Sequence, residues 1–324
     1  MGLLILLAEG LGLVVVVGTV WIVHAMTHPQ RKTYAFALAR RIPADPSDVG
    51  LKAHDMTFNL GDGTASPGWL IEGRRADGPV IIVSHGWNSS RYQVISRAAL
   101  LADVASQVVL YDLRGHGDST APICRMGTVE ADDLISVMDQ VPRDGKPVVL
   151  FGSSMGAGIS IAAAARKGTQ EVGGVIAEGA YRQLLQPLAA HLTYLKLPSF
   201  PFAMLAWCYI EWCLGRFREF DRARFAARLE CPLLVLHGSE DPVCGIESAQ
   251  RIAEAAPKGE LVVIDGGGHA DLAEVNRERY LDAIERLIGK SVQSSDFRVR
   301  CGVATEHAAG RNVEGRETIR TSVK

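Results

Sequence analysis

Three polar side chains in this chain of 324 residues have the types and order needed for nucleophilic acyl transfer. Ser154 lies in Gly152-Ser153-Ser154-Met155-Gly156, an acid lies in the pair Glu240-Asp241, and His269 follows Gly266-Gly267-Gly268. A serine hydroxyl attacks a carbonyl poorly at neutral pH, so a base must take its proton and later return it to the leaving group. Histidine suits both steps because its unperturbed pKa lies near about 6.5. An anion on the other ring nitrogen selects the tautomer and stabilises the imidazolium, a role that the residue types leave open to Glu240 or Asp241.

These residues need a scaffold that brings them together across more than a hundred positions. The apolar run Pro147 to Phe151 precedes the pentapeptide and the small-residue run Ala157 to Ala165 follows it, which predicts a strand, a sharp turn and a helix. A serine on such a turn adopts backbone angles that few residues tolerate, and the positions two before and two after it must be small. Gly152 and Gly156 meet that need, and the amide of Met155 then points to where an oxyanion would form. The run Cys231 to Leu236 predicts a buried strand opening at His237-Gly238 into the acidic loop, and Leu261 to Ile264 predicts another leading to His269.

Further strands are predicted at Val80 to Ser84, Gln107 to Tyr111 and Gly174 to Ala177, alternating with helices at Arg91 to Asp103, Val129 to Val141 and Met155 to Lys167. Such alternation builds an α/β fold with a mostly parallel twisted sheet and helices on both faces. Two strands near His54 to Leu60 and Gly68 to Gly73 predict an antiparallel hairpin around Gly61-Asp62-Gly63 at its start.

With these motifs in this order, the chain resembles the α/β-hydrolase superfamily, in the branch of single-domain serine esterases, serine aminopeptidase-like proteins and acyl hydrolases. The resemblance covers about residues 53 to 289. It rests on the Ser154 pentapeptide and on His85-Gly86-Trp87, Tyr111-Asp112-Leu113-Arg114-Gly115-His116-Gly117-Asp118-Ser119, His237-Gly238-Ser239-Glu240-Asp241 and Gly267-Gly268-His269, each at the end of a predicted strand.

The resemblance implies Asp241 rather than Glu240 as the acid, and Trp87 as donor of the second oxyanion-hole amide beside Met155. It also places a cap at about residues 181 to 228, where strand-helix alternation is interrupted. The implied activity is hydrolysis of carboxylic esters or thioesters through an acyl-enzyme on Ser154. A peptidase, an amidase or an acyltransferase would use the same triad, and a silent hydrolase fold could serve as a membrane scaffold. Dehalogenases and epoxide hydrolases of this superfamily carry aspartate at the elbow, which Ser154 argues against.

The remaining polar residues read as structural. His85 is expected to bond backbone around the oxyanion loop. His116 lacks a second ligand at metal-like spacing, and Arg114 and Asp118 are expected to tie neighbouring turns. Glu178 falls near the expected pocket rim, with structural hydrogen bonding favoured over binding a substrate amine. No cofactor or metal is implied. The six cysteines, Cys124, Cys208, Cys213, Cys231, Cys244 and Cys301, show no disulfide framework. A hydrophobic share of 48% suits one large α/β core, and a net charge of -2 gives no sign of nucleic-acid binding.

Leu3 to Val23 is almost unbroken apolar sequence with Glu9 its only ionisable group. At about 1.5 Å per residue it is long enough to cross a hydrocarbon core. A transmembrane anchor over residues 3 to 26 is therefore expected. A cleaved signal peptide is the alternative, although no Lys or Arg precedes the run. Arg31, Lys32, Arg40 and Arg41 follow the span, which places the catalytic domain in the cytoplasm by the positive-inside rule. Residues 27 to 52 read as a basic, proline-bearing linker. The apolar residues of Leu195 to Leu214 admit core or cap packing first, then an acyl pocket, then bilayer contact. Residues 290 to 324 read as a disordered tail, in which a lone cysteine, Cys301, gives little warrant for lipidation. The expected substrate is small or lipid-like and carries an acyl group.

Overall fold

The computed structural model describes residues 1–168, 171–213 and 221–293. Of the tail expected over residues 290–324, residues 290–293 instead continue the C-terminal helix, while the rest, Cys301 included, and cap residues 214–220 lie outside the described residues. Eight strands form one sheet: β1 (Ala53–Asn59), β2 (Ala65–Glu72), β3 (Val80–Ser84), β4 (Gln107–Tyr111), β5 (Val148–Ser153), β6 (Val172–Glu178), β7 (Leu233–Gly238) and β8 (Gly259–Ile264). Their order is β1-β2-β4-β3-β5-β6-β7-β8. β1 and β2 are the expected antiparallel hairpin, β2 also runs antiparallel to β4, and the strands from β4 onward are mutually parallel.

The helices, in chain order, are α1 (Gly2–Thr27), α2 (Tyr34–Arg40), α3 (Ile95–Leu101), α4 (Glu130–Gln140), α5 (Met155–Lys167), α6 (Leu185–Tyr194), α7 (Phe202–Cys213), α8 (Arg222–Ala226), α9 (Ile246–Ala255), α10 (Leu272–Val275) and α11 (Arg277–Gln293). The central strands β3, β5 and β7 are apolar on both faces because helices cover both sides of the sheet. Two cores result. One joins α4, α5, α9 and the cap to one face, and the other joins α3, α10 and α11 to the opposite face.

Two segments differ from their sequence reading. The helix expected over Arg91 to Asp103 begins as a 3₁₀ turn at Arg91–Val94 and is α-helical only over α3. Arg91 is drawn inward there by the buried Asp112 carboxylate, which also accepts the Arg91 amide at 2.8 Å. The stretch read as a linker is folded against the body. Asp45 and Asp48 form a reciprocal capping box on a 3₁₀ turn at Pro46–Val49, and Ala37, Ala44 and Leu51 join the second core. Arg31 Nη2 donates to the Ala121 carbonyl at 2.7 Å, so one of the basic residues after α1 is bound to the loop that follows β4.

Candidate active site

The carboxyl ends of β3, β5, β7 and β8 lead into the segments that carry Trp87, Ser154, Asp241 and His269. At the end of β5, Ser154 has φ 54° and ψ -112°, a strained conformation for a residue with a side chain. The Ser154 amide donates to the Glu178 carbonyl at 2.8 Å, which holds the turn against β6. A Cβ at Gly152 would come within 2.1 Å of the Gly156 carbonyl oxygen, and one at Gly156 within 2.0 Å of the Ser84 carbonyl oxygen. Gly156→Ala is therefore expected to destabilise the fold by about 3 kcal/mol, near the upper end of overpacking costs. Urea denaturation would check this, and a change under about 1 kcal/mol would show that the elbow can relax.

His269 Nδ1 lies 2.7 Å from Asp241 Oδ2, and His269 Nε2 lies 2.9 Å from Ser154 Oγ. An ionised carboxylate can only accept, so Nδ1 carries the proton and donates it, leaving Nε2 to accept the serine hydroxyl. Asp241 Oδ1 accepts the amides of Val243 at 2.8 Å and Cys244 at 2.9 Å. Burial pushes the Asp241 carboxyl up, but the bond and charge of His269 and those two amides outweigh it and hold the group below its ordinary value. The side chain of Glu240 points to solvent while its amide donates to the Gly267 carbonyl at 2.9 Å. Of the two adjacent acids, only Asp241 reaches the imidazole.

Met155 directly follows the serine, and a Cβ on Gly86, the residue before Trp87, would lie 3.5 Å from Ser154 Cβ. The Met155 amide is the first of α5, and Trp87 sits in the loop after β3. Neither amide donates to a protein acceptor among the described residues, which leaves both donors available. The Trp87 indole Nε1 donates to the Met26 carbonyl at 2.9 Å, and its ring meets His191 of α6 edge-on at 5.4 Å between centroids. The oxyanion loop thus touches both the end of α1 and the cap.

His85 and His116 brace this loop. His85 Nε2 accepts the Leu113 amide at 3.0 Å, and His116 Nε2 accepts the Asn88 amide at 3.2 Å. Burial holds His85 well below its ordinary pKa and takes His116 down to about 4, so both are neutral and able to accept. Arg114 donates to Asp133 at 2.6 Å and to Asp62 at 3.1 Å, and Asp118 accepts the Tyr92 hydroxyl at 2.7 Å. These residues tie the turns beneath the site.

Glu178 is buried rather than at a rim. It accepts from Arg97 at 3.0 Å and from the Tyr280 hydroxyl at 2.6 Å, and burial raises its carboxyl above the usual range despite the nearby Arg97 charge. Arg97 also donates to the Ala270 carbonyl at 3.3 Å, next to His269. Arg97 and Tyr280 were not singled out from sequence. Their separation from Glu178 by 81 and 102 positions leaves no local signal. Cys244 was read only as a free cysteine. Its thiol lies with Asp241 and His269 in a cluster whose potential ligand atoms are within 4.8 Å of one another. Burial, then the Asp241 charge, pushes that thiol far up, so it packs as a neutral group.

A family model described as "Alpha/beta hydrolase family" matches residues 80–283. The chain belongs to the alpha/beta hydrolase family. Among curated relatives of this family member, the protein YqkD of Bacillus subtilis is 26% identical over 223 residues, which is 67% of this chain and 73% of YqkD. Lysophosphatidylserine lipase ABHD12 of Rattus norvegicus is 24% identical over 197 residues. That match takes in 58% of this chain and 48% of the lipase, so the chain spans about half the length of that relative.

Among solved structures, the Pyrococcus furiosus esterase Pf2001 superposes with a TM-score of 0.64 at 22% identity, covering 81% of this chain and 98% of the esterase. A membrane phospholipase A described as a bacterial virulence factor superposes with a TM-score of 0.57 at 18% identity, covering 90% and 98% of the two chains. At these identities the likeness to both structures is one of fold.

Proposed function

We propose that the protein is a serine hydrolase of carboxylic esters or thioesters, retained in a membrane by α1. The observation that carries the reading is the relay Asp241 Oδ2, His269, Ser154 Oγ at 2.7 and 2.9 Å, beside the unengaged amides of Met155 and Trp87. In this reading Ser154 Oγ attacks the acyl carbon as its proton passes to His269 Nε2, and the developing oxyanion takes the two amides. The tetrahedral intermediate expels an alcohol or thiol, which receives the proton from His269. Water then repeats the sequence on the acyl-enzyme and frees the acid.

A lipid-like acyl substrate is supported by the apolar cap and by the ester and phospholipid substrates named for several similar proteins. Retention of α1 is supported by its packing. Leu4–Thr27 is long and apolar enough to cross a membrane, yet Ile22 and Met26 are buried and the Met26 carbonyl receives the Trp87 indole. Cleavage after Ala25 would remove Ile22 from the core and leave Met26, which accepts the Trp87 indole, at a new chain end. The basic residues after the span support a cytoplasmic catalytic domain.

The test is a series of p-nitrophenyl esters of rising chain length set against aminoacyl arylamides, using the full chain in detergent. The expected result is a burst of p-nitrophenol, with kcat/KM rising with acyl length. Cleavage of arylamides without esterase preference would overturn the ester reading in favour of a peptidase or amidase. Failure of a fluorophosphonate probe to label wild type would favour the silent scaffold.

A further inference from the structure

The second half of α1 packs on the folded body. Every described side chain from Met1 to Val14 is exposed, whereas Val15, Gly18, Thr19, Ile22 and Met26 form a stripe turned toward the protein. That stripe lies on α7. A Cβ on Gly18 would come within 2.6 Å of the Phe202 ring, so the two helices approach closely at this point. The apolar span Leu4–Thr27 includes this packed half, so a bilayer that takes up the span also meets what packs beside it.

What packs beside them has the matching surface. α7 buries Ala203, Ala206 and Ile210 against the body and turns Met204, Leu205, Tyr209 and Trp212 outward, with Trp212 75% exposed. The outward face of α7 bears no acid, lysine or arginine, since its single acid, Glu211, is buried. The preceding loop adds Phe200 at 71% exposure, and the last residue of α6 adds Tyr194 at 82%. A contiguous exposed patch of this kind marks an interaction surface, and its aromatic residues suit the headgroup boundary, where amphipathic rings collect.

We infer that the outer face of α7 and the loop before it lie in the acyl-headgroup boundary of the bilayer, alongside the first half of α1. This rests on the proposal that α1 is retained in a membrane, and it adds a second embedded surface beside the anchor. Amphipathic helices sink about 5 to 10 Å into that boundary. The Trp87 bond to Met26 then keeps the oxyanion loop near the membrane surface, so an acyl chain can reach Ser154 without passing through bulk water.

The test uses the full chain reconstituted in phosphatidylcholine vesicles with and without brominated acyl chains. Emission of Trp212 and of Trp21 is obtained by difference against Trp212→Phe and Trp21→Phe. The expected result is that the lipid bromines remove most of the Trp212 emission and aqueous iodide little of it, with Trp21 quenched by bromines as the anchor control. Bromine quenching of Trp21 together with iodide quenching of Trp212 would overturn the inference while leaving the anchor in place. Loss of bromine quenching at both positions would overturn the anchor and the inference together. Turnover of p-nitrophenyl butyrate by the same vesicles reports separately on the hydrolase reading and shows that each variant is folded.

Discussion

Ser154→Ala is expected to lower kcat on an activated ester by about 10⁶-fold, and His269→Ala by a similar amount. The reason is cooperative. Without Oγ the imidazole has nothing to activate, and without the imidazole the hydroxyl keeps its proton, so the double variant should fall little further than either single one. A residual rate about 10³-fold above that in water would remain from the oxyanion donors and substrate binding. Both side chains sit partly exposed at the rim of the sheet, so truncation removes no core volume and denaturation midpoints should stay near wild type. Burst-phase kinetics with p-nitrophenyl butyrate checks the effect. A fall of less than about tenfold in Ser154→Ala would place the nucleophile elsewhere.

Asp241→Asn is expected to lower kcat by about 10⁴-fold with the site geometry preserved. An asparagine amide that donates to Nδ1 would force the proton onto Nε2, turning the nitrogen that should accept the serine proton into a donor. Glu240→Gln, one position away, should change kcat by less than about twofold, because that side chain faces solvent. The same pair separates the two acids by pH. A carboxylate whose folded pKa lies below its unfolded value contributes stability that is fully present above about pH 4 and is lost as pH falls through the folded value. Wild type should therefore lose stability with acid across that window more steeply than Asp241→Asn, as measured by denaturation at successive pH values. Equal slopes would mean that Asp241 is not the carboxylate held down by His269.

The central parallel strands were legible because they are short apolar runs closed by glycine or a polar residue. β3 and β4, and helix α5, begin and end where their sequences predict. The elbow was legible for a steric reason: a serine at φ 54° between Gly152 and Gly156 has few alternative conformations that keep strand and helix in contact. Less was visible where the deciding contacts are remote. The run Thr27 to Gly50 carries basic residues and prolines, composition typical of a linker, yet Arg31 is bound by carbonyls about ninety positions away and Ala37 is fully buried. Glu178 read as a rim residue because nothing local announces Arg97 and Tyr280.

By itself, the sequence determined which side chains can do chemistry, the strand ends that carry them, and the apolar length of α1, because period, steric size and hydropathy are local properties. Only the tertiary structure decided that Glu178 is buried and bound by Arg97 and Tyr280, and that the last turns of α1 lean on α7 and on Trp87. Those outcomes depend on which apolar faces are buried against each other, and that free energy is shared among residues that the chain order keeps far apart.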